Sequence, residues 1–87
     1  MSEANIFTVC VVCAVPVETE ALTRVFSRRA HRQFKKEFDK SCGDFREMTI
    51  TNRQREPLRI VLSWLPRYGP IEMALHLPRL VAAAGQR

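Results

Sequence analysis

The chain has 87 residues, of which 46% are hydrophobic, and a formal net charge of +5. That length makes one domain, residues 1–87, burying roughly 60–65% of the surface its unfolded form exposes. No apolar run reaches the ~20 residues of a membrane span. The N-terminus, Met1 to Asn5, carries Glu3 and no Lys or Arg, unlike a secretory signal; a cytoplasmic location is therefore expected.

Ile6 to Cys13 is almost wholly apolar and rich in β-branched residues. Such a run reads as a strand covered on both faces, as in parallel α/β sheets. Cys10 and Cys13 match a redox or zinc spacing on paper. Within a strand, however, residues three apart point to opposite faces, so the pair reads as two small buried hydrophobes. With Cys42 the cysteine count is three, and an odd count argues against a disulfide framework. Neither a metal site nor a cofactor is expected.

Pro16 cannot continue a strand ladder and suits a helix start. Glu18 and Glu20 follow in the first turn, where acids complement the helix dipole. Leu22, Phe26, Ala30, Phe34 and Phe38 then recur every four residues. This spacing predicts a helix from about Val17 to Lys40, either continuous or broken near Ser27. Gly43 is the expected left-handed stop. The basic run Arg28 to Lys36 reads as the solvated face of this helix, with an anion or nucleic-acid site as the alternative.

Phe45 to Thr51 alternates, with Met48 and Ile50 on one side, as in a half-buried strand. Asn52 to Pro57 is polar and turn-like, and Leu58 to Leu65 is apolar again. A short polar link between strands favours an antiparallel hairpin. Gly69-Pro70 opens a second helix, ending near Gly85. Its expected apolar surface is Ile71, Ala74, Leu75, Leu77, Leu80 and Val81, with a kink or break at Pro78. His31 and His76 lack ligand-type spacing and read as surface or groove residues.

The expected fold class is therefore α/β, in the order β-α-β-β-α. The third strand lies parallel to the first and the second lies outside the third, a mixed sheet of order 2-3-1. Parallel first and third strands put the loops after them at one sheet edge, where ligands of open α/β sheets bind. Ala14 to Glu18 and Pro66 to Gly69 should converge there.

Two segments carry a family resemblance. They are the first strand running into Ala14-Val15-Pro16-Val17-Glu18-Thr19-Glu20, and Arg59 to Leu65 running into Pro66-Arg67-Tyr68-Gly69-Pro70-Ile71-Glu72. Together they resemble the opening, N-terminal third of the nucleoside phosphorylase and nucleosidase superfamily, which includes methylthioadenosine nucleosidase. The resemblance implies a phosphorylase-like sheet and a site for a purine nucleoside. Glu18 matches the glutamate that activates water for attack on the ribose anomeric carbon. A carboxylate there orients water and stabilises the oxocarbenium-like state; the alternative is an ordinary first-turn glutamate. Ala14 matches a small residue that admits ligand or water, the alternative being close packing. Tyr68 and Gly69 match the loop lining the sugar, the alternative for Gly69 being a helix cap. Glu72 departs from the Ala, Asn or Ser usual in the family.

The phosphorylase branch has a Gly-Asp-Pro type phosphate loop where this chain reads Ala14-Val15-Pro16-Val17, so hydrolysis is favoured over phosphorolysis. The family's Gly-rich fourth strand, ribose-binding Met-Glu pair and purine-protonating aspartate have no counterpart in these residues. The chain alone is expected to be inactive. Two alternatives remain: a non-enzymatic assembly module, and an anion-binding protein using the basic helix. In either reading the first strand lies at an open sheet edge, so a homo-oligomer or a partner chain along that strand is expected.

Overall fold

The computed structural model describes residues 7–51, 53–67 and 69–85. The elements are β1 (Phe7–Cys13), α1 (Pro16–Ala30), β2 (Lys35–Asp39), β3 (Gly43–Thr51), β4 (Pro57–Trp64) and α2 (Pro70–Gly85). They form an α/β fold with one mixed sheet of order β1-β4-β3-β2. β1 and β4 are parallel, with Phe7 beside Leu58 and Cys13 beside Trp64. The pairs β4–β3 and β3–β2 are antiparallel.

The expected three-strand order needs correction, because four strands are present. The neighbours β1, β4 and β3 fall as expected, and β2 adds an outer strand that the sequence reading placed in a helix. α1 stops at Ala30. His31 takes a left-handed conformation (φ 55°), and its N–H and that of Arg32 both reach the Ser27 carbonyl. The chain then reverses. Phe34 still meets Phe26 edge-on, ring centroids 6.4 Å apart. The four-residue repeat thus reflected a real contact, made across a reversal rather than along a helix. Phe38, the last member of the repeat, lies on β2 and is 60% exposed. Gly43 does have positive φ (81°), but it follows the β2–β3 turn rather than ending a helix.

Alternation along the strands sorts the two faces. Phe45, Val61 and Ser63 face α2, where Phe45 and Val61 form the core with Cys42, Leu80, Ala83 and Ala84. Arg46 and Trp64, one residue along, lie on the α1 face. There Arg46 bonds Thr23 and Glu20 of α1 and stacks over the Trp64 ring at 5.9 Å. Full burial of side chains such as Phe45, Leu62 and Leu80 contributes about 1.5–3 kcal/mol each.

The face of α2 also needs correction. Leu80 is buried as expected, but its companions inside are His76, Ala83 and Ala84. Ile71, Leu75, Leu77 and Val81 are exposed. Alanines let the helix approach the sheet closely, so the inner face combines Ala83 and Ala84 with Leu80 and His76, and the other large aliphatics lie on the outer face. The helix runs unbroken through Pro78, so of the kink or break expected there the break does not occur. Among the described residues no helix is long and apolar enough to cross a membrane.

Candidate functional site at the strand ends

The parallel pairing of β1 and β4 sets the geometry. The Leu65 N–H donates to the Cys13 carbonyl at 3.0 Å, tying the two exit loops together at one sheet edge. Ala14 is half-buried at the end of β1. Val15 is extended (φ −136°, ψ 154°) and turns the chain into α1. Pro16 occupies the first helical position, where its missing N–H costs nothing.

Glu18 is exposed, and its carboxylate folds back over this turn. Oε1 accepts the Ala14 N–H at 3.1 Å and the Val15 N–H at 3.3 Å. Val15 has no side-chain oxygen, so only the glutamate half of a capping box exists. The arrangement satisfies two backbone donors at the strand-to-helix turn and fixes the carboxylate at the end of β1. The role the structure shows for Glu18 is this capping one.

Gly69 lies at the same edge, before α2. Its φ of 151° is a region that side chains rarely adopt, and its carbonyl accepts the Met73 N–H at 3.1 Å. A Cβ built there would meet nothing within 4 Å. Conformation, not crowding, therefore requires the glycine. Tyr68 lies outside the described residues. The structure thus unites Ala14 with Glu18 and puts Gly69 at the same edge.

A cleft of about 240 Å³ opens on the α2 side of this edge. It runs between the β2–β3 turn and α2, and Lys40, Cys42, Pro66, Glu72, His76 and Arg79 are among its lining. Neither Glu18 nor Gly69 lines it. His76 lines this groove, one of the two placements expected for it, but is buried rather than at the surface, and its Nε2 shares a 2.9 Å hydrogen bond with Ser63 Oγ. Thr19 Oγ1 donates to the Ser63 carbonyl at 3.2 Å. A buried polar thread therefore runs from α1 through β4 to α2. Burial, aided by the Arg79 charge, pushes the His76 pKa below its ordinary value. Both effects favour the neutral imidazole. The sequence signal for His76 was its place four residues before Leu80 on one helix face.

The cysteines are free thiols. Burial raises the Cys10 thiol, with Arg59 acting in the opposite direction, so Cys10 is not an activated thiolate. No group of three or more His, Cys, Asp or Glu side chains is arranged to hold a metal ion among the described residues. No protein family, curated protein or solved structure matches this chain.

Proposed function

We propose that the chain is a nucleoside phosphorylase-like module that supplies the water-directing part of an N-glycosidic hydrolysis site for purine nucleosides, working in the cytoplasm. The observation that carries this reading is the parallel β1–β4 pair with Glu18 fixed by two backbone N–H groups at its exit edge. Glu18 holds the attacking water. Ala14 leaves room at the strand end, and Tyr68 and Gly69 border the sugar. The acid that protonates the purine and the clamp on the ribose come from elsewhere, so the isolated chain binds weakly and does not turn over.

Titration of the isotope-labelled chain with 5′-methylthioadenosine, followed by backbone amide shifts, tests this. Shifts concentrated at Ala14, Val15 and Gly69, without release of adenine, are expected. Absence of any shift at those amides at millimolar nucleoside would overturn the reading. Adenine release by the chain alone would overturn its incompleteness.

A second reading, an assembly module, is favoured by the outer surface. β1 is a sheet edge, yet its sequence is that of a central strand, and Phe7 is 64% and Val9 46% exposed. Ile71, Leu75 and Val81 on α2 and Val17 and Val25 on α1 are exposed as well. An apolar edge strand with free backbone groups is a template for pairing. The occupant proposed is a second copy of this chain, since β1 carries no charge to select a charged partner.

A further inference from the structure

The charges are unevenly divided between the two ends of the sheet, with Lys40 and Arg67 among the acids at the exit end and Glu56 the acid in the β3–β4 turn. Glu18, Glu20, Asp39, Asp44 and Glu72 belong to the end where β1 and β4 exit. The opposite end holds the last turn of α1, the start of β2 and the β3–β4 turn. There Arg28, Arg29, Arg32, Arg53 and Arg55 are all exposed. Arg32 Nη1 donates to the Thr49 carbonyl at 3.1 Å, which ties the end of α1 to the end of β3. One basic surface therefore spans a helix end and a hairpin turn that are far apart in sequence.

Two local explanations account for only part of it. Arg28 and Arg29 lie in the last turn of α1, where cations complement the helix dipole. That reason does not extend to Arg53 and Arg55, which sit in a turn. Arg55 has a positive φ of 63°, a conformation that Gly or Asn adopts more cheaply. Nor does ion pairing explain these charges. Glu47 is engaged by Arg59, Glu56 is the one acid in the turn and has an interaction of its own, and Arg28, Arg29, Arg53 and Arg55 are in none of the salt bridges found among the described residues. Beside α1 the surface opens into a broad groove of about 550 Å³ lined by Arg24, Ser27, Arg28, His31, Arg32 and Gln33, with no acid in its wall.

We infer that this pole, opposite the candidate site, binds the sugar–phosphate backbone of a nucleic acid. Guanidinium forks match phosphate oxygens in a bidentate way that ammonium groups do not, and the exposed cations of the α1 end and the β3–β4 turn are arginines, while Lys35 at the start of β2 is paired with Glu37. A backbone ligand offers repeated phosphates, as the two separate arginine groups require. A membrane surface needs large apolar side chains interleaved with the cations; among the described residues Val25 beside Arg28 and Arg29 is the one such exposed side chain near the α1 end, and the turn at 53–56 reads Arg-Gln-Arg-Glu. Among the described residues Phe7 is the one exposed ring at this end, and Phe34 packs on Phe26; a single ring is not a platform for successive bases, so the contact is chiefly to phosphates and carries little sequence preference.

Fluorescence anisotropy with a labelled single-stranded DNA oligonucleotide of random sequence, across a potassium chloride series, tests the inference. Binding should weaken steadily with salt. Arg28→Gln with Arg29→Gln, and separately Arg53→Gln with Arg55→Gln, should each weaken it about five- to tenfold and flatten the salt slope by about two. Lys40→Gln with Arg67→Gln, which removes the same charge at the opposite end of the sheet, should change it less than about twofold. Amide shifts of the wild-type chain on adding the oligonucleotide should fall at 28–32 and 53–55, which locates the contact without any variant. No binding at low salt, equal losses in the control pair, or shifts elsewhere would overturn the inference. So would tighter association with phosphatidylserine vesicles than with the oligonucleotide.

Discussion

Ser63 on β4 and His76 on α2 share a buried hydrogen bond, Oγ to Nε2 at 2.9 Å, that joins the sheet to its covering helix. Buried polar groups are stabilising only when paired, and removing one partner leaves the other unsatisfied. Ser63→Ala should therefore destabilise the chain by about 1–3 kcal/mol. Urea unfolding measures this, and a change near zero would show that His76 finds another partner or water.

The burial of His76 also gives a pH dependence. The folded-state pKa of His76 lies below its ordinary 6.5, so the unfolded chain binds more protons as pH falls. The associated stability is fully present above about 6.5 and is lost progressively below it, towards the lower folded-state value. Arg79 adds to the effect by opposing a second positive charge, while Glu72 lines the same cleft. Unfolding midpoints should fall between neutral pH and mildly acidic pH, and His76→Gln should reduce the slope. An unchanged slope in that variant would assign the titration to other groups.

The two phenylalanines flanking the β2–β3 turn should behave oppositely. Phe45 is fully buried on β3, whereas Phe38 is largely exposed on β2. Phe45→Ala should cost about 3–5 kcal/mol, and Phe38→Ser about 1 kcal/mol or less. Thermal or urea unfolding compares them. A large cost at Phe38 would favour the continuous helix that its four-residue spacing suggested.

That pair also shows where the sequence was legible. β1 and β4 were readable because nearly continuous β-branched runs have few other ways to bury themselves. Their parallel pairing followed from the intervening helix, and it brought Ala14, Glu18 and Gly69 to one edge. β2 was hidden because Lys35-Lys36-Glu37-Phe38-Asp39 has too little apolar character to show a strand period. The phenylalanine spacing there fitted a helix equally well. The reversal at His31 carries no Gly or Pro, so nothing local announced it. On α2 the bulky aliphatics drew the eye to the outer face, while the inner one was set by close approach of alanines and one paired histidine. The partners of Glu18 are backbone N–H groups, which leave no mark in a sequence.

Glu18 accepts two backbone N–H groups, so its removal has a structural cost apart from any chemistry. Glu18→Gln keeps an acceptor and should lower stability by less than about 1 kcal/mol. Glu18→Ala removes the acceptor altogether and should cost about 0.5–2 kcal/mol. If both variants match wild type in urea unfolding, the turn at Ala14–Val15 does not depend on the carboxylate.

The exposed edge of β1 makes the last expectation. Its outer backbone groups are unpaired within the sheet, and Val9 on it is 46% exposed. No Lys, Arg or Pro interrupts Ile6 to Val15 to discourage pairing with another strand. The wild-type chain should therefore self-associate as its concentration rises. Val9→Lys places a charge on the edge without filling the core, and should shift the chain towards monomer while leaving its far-UV circular dichroism unchanged. Light scattering over a concentration series reads both. A wild-type chain that stays monomeric at high micromolar concentration, or a Val9→Lys variant that associates as strongly, would show that β1 does not pair with a second copy.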